Sequence, residues 1–356
     1  MPSAVRKAAP PSKDPAAVRI VALGGGTGLS TLLRGLKNYV AAARPAYPPP
    51  PRRGPAGVQQ HGPISDLAAI VTVTDDGGSS GRLRREYRIL PPGDIRNCMV
   101  ALSQDEALLS RLFQFRFQHR GSLKGHSFGN LFLAALTNVT GDFPEAVRLC
   151  SEVLAIRGRI FPATSQLVGL RAELADGSEV SGETRISRSR QRIRRVRLEP
   201  RRVRPLAGSL EAIRRAGLIL LGPGSLYTSV IPNLLVAGVA DAIRRSRATR
   251  VYIANIMTQP GETTGYSVAD HVRAIYDHAG GRIFDWVVIN NGPISEKLLK
   301  NYRAQGAEPV AANVAELQKL GVRCVFDNLV EEGDVVRHSG TRLTRLLLEE
   351  FVERRK

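Results

Sequence analysis

The sequence predicts an α/β protein with a Rossmann-like, doubly wound, mostly parallel sheet and a small β-rich basic subdomain. Three observations support this prediction. Nearly continuous apolar runs alternate with amphipathic helical patterns, glycine-rich turns follow several of these runs, and one arginine-rich stretch alternates with a period of two. Strands that are covered by helices on both faces are apolar throughout, so runs of this kind indicate a parallel sheet.

The predicted strands and helices follow one another along the chain. The first strand, 18–23, leads into a helix whose apolar stripe recurs at helical spacing, at Leu29, Leu32, Leu33, Leu36 and Val40. The further strands are predicted at 67–74, 217–222, 250–256 and 284–290. The further helices are predicted at 97–110, 130–137, 232–245, 267–278 and 296–303.

Composition changes divide the chain into four parts. Residues 1–17 are predicted to be a flexible tail, and residues 18–170 the Rossmann-like nucleotide-binding part, with a proline-rich insertion at 43–62. Residues 171–205 form the predicted basic subdomain, and residues 206–356 complete the sheet and add C-terminal helices. The alternating arginines of 188–194 fit either a charged edge strand that resists aggregation or a surface for anionic ligands or polyanions.

Charge and cysteine content limit the functional classes. The formal net charge is +19, and 43 arginines stand against 8 lysines. The sequence contains none of the common DNA- or RNA-binding signatures, so anionic small molecules explain the charge as well as nucleic acid does. Three scattered cysteines argue against a disulfide framework and against a cysteine-based zinc site. With neither a signal peptide nor a membrane span recognisable, we expect a cytoplasmic protein.

A glycine-rich turn between the first strand and the first helix is the first candidate ligand site. Glycines let the backbone approach a ligand, and a helix N-terminus attracts anions, so a phosphate fits here. The spacing matches neither the G-x-G-x-x-G pattern nor a Walker A loop, which leaves an ordinary tight corner as the alternative. The turn comprises Gly24, Gly25, Gly26, Thr27 and Gly28.

Two acidic loops follow. Asp75 and Asp76 end the second strand and precede Ser79 and Ser80, a pattern that suits either a ribose hydroxyl or a cation bridging phosphates, or else an Asp-Gly turn. Asp94 is either a helix N-cap or the second carboxylate of a magnesium site shared with Asp76. We therefore list Mg²⁺ as the candidate cofactor.

The remaining candidate residues begin helices. Asn97, His126 and Asn130 are polar positions at helix starts, and His126 and Asp94 are the candidates for acid-base catalysis. A second glycine turn follows an apolar strand and offers backbone amides and hydroxyl groups to phosphates or a sugar. Its candidate residues are Gly222, Gly224, Ser225, Tyr227, Thr228 and Ser229. Tyr266 either stacks on a base or sugar or simply packs against the protein.

Taken together, several motifs resemble the bacterial gluconeogenesis factor family (YvcK-like), which is related to the CofD-like 2-phospho-lactate transferases. These motifs are GGGTGLSTLLRGLK, VTDDGGSSGRLR, PPGDIRN, GHSFGNLFLAALT, GPGSLYTSVIPNLLV and NIMTQPGET. The resemblance implies a Rossmann-like sheet and a homodimer. It also implies binding of UDP-sugars such as UDP-N-acetylglucosamine, and a role in cell shape and wall synthesis during gluconeogenic growth, with a regulatory protein partner. The insertion at 43–62 and the arginine-heavy middle depart from the family.

Three functions remain open. The first is a non-catalytic sensor of a UDP-sugar, and the second is a magnesium-dependent transferase acting on a nucleotide-diphosphate-linked substrate. The third, nucleic-acid binding through the arginine-rich segment, is disfavoured because no motif supports it. On the first two hypotheses, Asp76→Ala and Gly26→Val are both expected to abolish nucleotide binding.

Overall fold

The structure is a computed structural model that describes residues 17–41, 62–104, 108–189 and 191–355. The predicted tail at 1–17 and the predicted insertion at 43–62 therefore lie outside the described residues, except for Ala17 and Gly62.

The strands of the described chain are short. They are β1 (Val18–Gly24), β2 (Ile64–Val71), β3 (Arg159–Pro162), β4 (Gly169–Leu174), β5 (Glu179–Ser181), β6 (Ile193–Glu199), β7 (Leu218–Leu221), β8 (Thr249–Ile253), β9 (Trp286–Asn290), β10 (Arg323–Asp327), β11 (Val330–Glu332) and β12 (Val336–His338).

The helices connect these strands. They are α1 (Gly26–Leu36), α2 (Gly78–Tyr87), α3 (Gly93–Leu102), α4 (Leu108–Gln114), α5 (Phe128–Thr140), α6 (Phe143–Val153), α7 (Glu183–Arg188), α8 (Ala207–Arg215), α9 (Ile231–Leu234), α10 (Val239–Arg245), α11 (Val268–Ala279), α12 (Glu296–Ala304), α13 (Val314–Lys319) and α14 (Gly340–Phe351). A π-helical turn, Leu226–Val230, precedes α9, and 3₁₀ turns follow α1 and α14.

Seven parallel strands of the described chain form the central sheet, in the order β10-β9-β8-β7-β1-β2-β3. The chain runs outward from β1 to β2 and β3, then returns to β7 on the other side of β1 and runs outward again through β8, β9 and β10. The strand order therefore reverses between β1 and β7. Doubly wound sheets bind their ligands beyond the carboxyl ends of the strands at such a switch point.

The core of the sheet is apolar on both faces. β7 is buried along its whole length, and β1 is buried from Ile20 onward. The stripe predicted on the first helix packs inward, because Leu29, Leu32, Leu33 and Leu36 are all fully buried. Each such leucine contributes about 1.5–3 kcal/mol through burial, so this face of α1 fixes the helix on the sheet. The α/β, Rossmann-like fold class is confirmed.

The basic subdomain is an antiparallel sheet, which within the described residues has the strand order β5-β4-β6. Burial alternates along β4, as expected for a sheet with one solvated face. On that outer face Arg171 is paired with Glu179 and Glu199, and Arg197 is paired with Glu179. Part of the arginine charge of this segment is therefore neutralised by neighbouring strands.

Two predicted helices are each divided in two. The pattern at 97–110 belongs to α3 and α4, and α3 ends because the backbone of Ser103 is extended and its hydroxyl donates to the carbonyl of Leu154. The pattern at 232–245 breaks at Gly238, whose φ of 78° is left-handed.

No single helix among the described residues is long and apolar enough to cross a membrane. Two successive helices, Leu226–Leu234 and Val239–Arg245, reach that length and apolar composition only when they are counted together, and they are bent by 74° relative to each other.

Candidate functional site

A cavity of about 550 Å³ lies beyond the carboxyl ends of β1, β7 and β8, next to the switch point. Three strand-end loops contribute to its wall: 25–28 after β1, 223–225 after β7 and 255–260 after β8. The predicted site residues in this wall are Gly25, Gly26, Thr27, Gly28, Gly224, Ser225 and Ser229. The two glycine turns therefore do come together, as the sequence predicted.

The first glycine turn presents the N-terminus of α1 to the cavity. The N-cap residue Gly25 has no side chain to cap this N-terminus, the first turn contains no acidic residue, and the Gly26 amide interacts with the carboxyl group of Asp94. Gly26 has a φ of +61°, a left-handed conformation that other L-residues rarely adopt. A Cβ atom on Gly28 would lie 2.4 Å from the carbonyl oxygen of Pro223, so the two turns touch backbone to backbone. Uncapped amides at a helix N-terminus are an anion site.

The second glycine turn is held in place by hydrogen bonds from neighbouring loops. The amide nitrogen of Gly224 donates to Oδ1 of Asn255, and the side chain of Gln259 donates to the hydroxyl oxygen of Ser225 at 2.9 Å. Asn233 joins the two turns, because its Nδ2 donates to the carbonyl oxygens of Gly24 and Ser229. The turn that faces the cavity is therefore braced from β8 and α9.

The far wall of the cavity comes from residues that the sequence did not single out. Tyr302 lies on α12, whereas Arg337 and His338 lie on β12. The hydroxyl of Tyr302 accepts a hydrogen bond from the amide of Val336 at 2.9 Å, which joins these two elements. β12 spans three residues and has no apolar periodicity, so no sequence signal marked it as part of the site.

His338 lies in the cavity wall, and one of its ring nitrogens is buried without a partner in the described residues. Burial lowers its pKa to about 4, while the carbonyl of Ala254 acts in the opposite direction, so the ring is neutral at pH 7. Its Nε2 atom is buried and has no hydrogen-bond partner within the described residues. A neutral imidazole that donates from one nitrogen accepts at the other.

A carboxylate lies behind the first turn. A Cβ atom on Gly25 would lie 2.7 Å from Oδ2 of Asp94, so this carboxyl group adjoins the turn directly. Burial and the charge of Asp75 raise the pKa of Asp94 to about 7, against the opposing effects of the Gly26 amide and Arg96. Glu183 is a further acidic residue close to Asp94. Its burial and the charges of Asp94 and Asp75 raise its pKa. Asp94 does not cap α3 with its side chain.

The Asp pair is occupied by protein contacts. Asp75 accepts a hydrogen bond from the amide of Gly77 within its own turn. Asp76 accepts from both the amide and the hydroxyl of Thr184 on α7, at 2.9 and 2.7 Å. Neither residue belongs to the cavity wall, and no group of three or more acidic, histidine or cysteine side chains in the described parts of the chain is arranged to hold a metal ion. The magnesium site of Asp76 and Asp94 stays a prediction.

The other predicted polar residues form a separate cluster on the β2 side of the sheet. Nδ1 of His126 lies 2.9 Å from the hydroxyl of Ser79, and burial together with Arg82 lowers the pKa of His126. Ser80 accepts from the amide of Gly93. Asn97 accepts from Arg96, and the amide of Asn130 donates to the N-cap Ser127. These residues lie outside the cavity wall defined above.

Comparison with known proteins establishes the family. A family model described as 2-phospho-L-lactate transferase CofD matches residues 20–330. The chain belongs to the CofD family. A gluconeogenesis factor from Halalkalibacterium halodurans is 47% identical over 331 residues, which cover 93% of this chain and 95% of the relative. The gluconeogenesis factor of Bacillus subtilis is 46% identical over 332 residues, covering 93% and 97%.

A solved structure supports the same assignment. A crystal structure of a member of the UPF0052 family from Bacillus halodurans has a TM-score of 0.84 and 46% sequence identity, and the match covers 93% of this chain and 99% of that chain. The similarity in sequence and in fold therefore covers nearly the whole chain.

The predicted tyrosines of this CofD-family chain are packed away from the switch-point cavity. The hydroxyls of Tyr227 and Tyr266 lie 2.9 Å apart, and both residues line a different cavity of about 400 Å³. Arg192 lies over the ring of Tyr266, at 5.4 Å from its centroid. Thr228 is also buried, and its hydroxyl donates to Glu262. Tyr266 was predicted either to stack on a base or sugar or to pack against the protein, and its position in the structure matches packing.

Proposed function

We propose that the chain is a cytoplasmic, non-catalytic regulator that binds a UDP-sugar of the UDP-N-acetylglucosamine type in the switch-point cavity. On this proposal it acts in gluconeogenic growth through cell shape and cell-wall homeostasis, as a homodimer with a regulatory protein partner. The names of the relatives support the link to gluconeogenesis. The sugar, the dimer and the partner rest on the sequence resemblance.

One observation carries the binding proposal. Two glycine turns meet backbone to backbone at the switch point, and the N-terminus of α1 opens into the cavity between them and β12. A diphosphate carries the negative charge that this helix end attracts. A volume of about 550 Å³ lies within the usual range for small-molecule sites.

The opposite wall supplies groups suited to the rest of the ligand. Arg337 adds a cation for phosphate oxygens. Gln259 contributes a side-chain amide and already contacts the second turn through Ser225. These groups suit a polar ligand with several hydrogen-bond donors and acceptors.

No histidine in the described part of the cavity wall lies against a serine hydroxyl, and this supports binding over turnover. Among the described residues that line the cavity, the one histidine is His338, and its Nε2 atom contacts no serine hydroxyl. The Ser79–His126 pair lies outside this wall. A non-catalytic sensor needs only binding residues, and on this proposal the cavity wall provides them.

A magnesium-dependent transferase is the second candidate. The family description and the position of Asp94 against the Gly25 turn favour it. Mg²⁺ is commonly held by one or two carboxylates together with substrate phosphates, and on this second proposal Asp76 and Asp94 would hold it. The bound ion would neutralise phosphate charge, while Asp94 would supply an oxygen ligand.

Calorimetry combined with product analysis separates the two candidates. We expect UDP-N-acetylglucosamine to bind with one site per chain and to be recovered intact after prolonged incubation with Mg²⁺. GDP serves as the matched control nucleotide, and it should bind more weakly. Magnesium-dependent release of a nucleoside monophosphate from the nucleotide-diphosphate-linked substrate, with transfer of its distal phospho group to the hydroxyl of an added acceptor, would establish the transferase instead.

A further inference from the structure

α4 carries apolar side chains on two opposite faces. Phe113 is buried in the core, as expected for the inner face of a surface helix. Leu108, Leu112 and Phe115 follow a spacing of four and three residues along the outer side, and they are 71%, 39% and 52% exposed. A surface helix normally places polar residues on its outer side. Within the described residues Phe115 packs edge-on against Phe117, and this second stripe is otherwise largely open to solvent.

The hairpin that follows α4 extends the same apolar surface. Its two arms are joined by hydrogen bonds from the amide of Phe117 to the carbonyl of His126 and from the amide of Gly125 to the carbonyl of Phe117. All seven residues of its tip, 118–124, are exposed, including Leu123 at 46%. The tip therefore projects an apolar side chain into solvent.

Basic side chains surround these apolar residues. The guanidinium groups of Arg82 and Arg116 donate to the backbone carbonyls of Lys124 and Gly125, which carry no charge. The first of these contacts also joins α2 to the hairpin tip. The exposed cations of α4 and the hairpin are Arg111, Arg116, Arg120 and Lys124. We name this surface, with Leu108, Leu112, Phe115 and Leu123, the α4 face.

We propose that the α4 face docks on the surface of an anionic lipid bilayer. Exposed leucine and phenylalanine side chains beside arginine and lysine are the combination that binds membrane interfaces, because apolar groups enter the headgroup region and cations bind anionic lipids. A second copy of the chain fits less well, since pairing two identical faces would place their cations against one another. This docking is independent of the UDP-sugar proposal.

Vesicle flotation of the full chain tests this proposal. We expect binding to vesicles of phosphatidylcholine mixed with phosphatidylglycerol, and none to phosphatidylcholine alone. In the variant R120E/K124E each lost cation weakens binding about fivefold, and charge reversal adds repulsion. L112S/F115S should also lose binding. Both variants change exposed residues, so their unfolding temperatures should match that of the unmodified chain.

Matched controls come from the basic subdomain and the loop before it. R201E/R202E makes the same charge change, and L167S removes an exposed leucine; both should bind vesicles like the unmodified chain. The proposal is overturned if the unmodified chain ignores anionic vesicles, or if the α4-face variants bind as well as the controls. It is also overturned if light scattering shows that L112S/F115S splits a dimer that never bound lipid, because a second copy would then cover this face.

Discussion

At the level of single residues, Gly26 and Gly28 disfavour any larger side chain for different reasons. Gly26 needs a left-handed backbone but has open space around its Cα, whereas Gly28 has no room for a Cβ atom next to Pro223. A side chain at Gly26 therefore costs about 1–2 kcal/mol of backbone strain and extends into the space where a ligand would lie. A side chain at Gly28 would force the two turns apart.

If the cavity binds a diphosphate as proposed, Asp94 should make that binding pH-dependent. Its pKa is raised to about 7, so the carboxyl group is neutral below that value and becomes an anion beside the first turn above it. Without metal, we expect the affinity for a UDP-sugar to fall about fivefold to tenfold between about pH 6 and pH 8, through like-charge repulsion. Calorimetric titrations at both pH values measure this change.

The Asp94→Asn variant is the control for this pH effect. The amide cannot ionise, so its affinity should stay nearly constant over the same range and match the low-pH affinity of the unmodified chain. An unchanged pH dependence in Asp94→Asn would assign the titration to another group.

At the cavity wall, the residues that sequence could single out lie in short loops. Gly25 to Gly28, Gly224, Ser225 and Ser229 belong to clusters of glycine and hydroxyl residues that follow apolar strands. Arg337 and His338 could not be singled out, because a three-residue strand far along the chain places them at the cavity only through tertiary folding. Tyr227 was predicted to bind ligand, but only the fold reveals its hydroxyl contact with Tyr266.

At the level of elements, α7 joins the basic subdomain to the switch point. Thr184 binds Asp76, and Ser187 donates to Glu262 in the cavity wall. Glu262 also accepts from the amide of Tyr227 and the hydroxyl of Thr228, so one buried carboxylate gathers three segments. Burial raises the pKa of Glu262, and these hydrogen bonds oppose that effect.

Asp76→Ala tests this connection. The substitution removes the acceptor of two hydrogen bonds from Thr184, so we expect the free energy of unfolding to fall by about 1–3 kcal/mol. Because Asp76 lies outside the cavity wall, UDP-sugar affinity should fall less than in Gly26→Val. Urea unfolding measures the first effect and calorimetry the second. Asp241→Ala, which changes an exposed aspartate on α10, should leave both nearly unchanged.

Elements with strong apolar patterns were predicted well and the others were not. The strands at β1, β7, β8 and β9 follow their apolar runs to within a few residues. β3 and β10 were missed because they are short and carry arginine or aspartate within the sheet. The division of the helix at 97–110 depends on a tertiary hydrogen bond from Ser103 to Leu154, which local sequence does not encode.

At the level of the whole molecule, the proline-rich insertion joins two points that are already adjacent. The amide of Ala41 donates to the carbonyl of Ile64 at 2.8 Å, and Val40 pairs with Ile64. A short connection can therefore span the two ends. Replacing residues 43–61 with a Gly-Ser linker should leave both the unfolding temperature and UDP-sugar affinity nearly unchanged. A large loss of affinity in a folded variant would assign the insertion to the site.

The reversal of strand order between β1 and β7 places two glycine turns from distant parts of the chain at one cavity. Titration calorimetry of UDP-N-acetylglucosamine into the unmodified chain and into Gly26→Val tests this account most directly. We predict saturable binding at one site per chain, and at least about tenfold weaker binding in Gly26→Val. Equal affinity in the two folded proteins, or no binding to the unmodified chain, would contradict it.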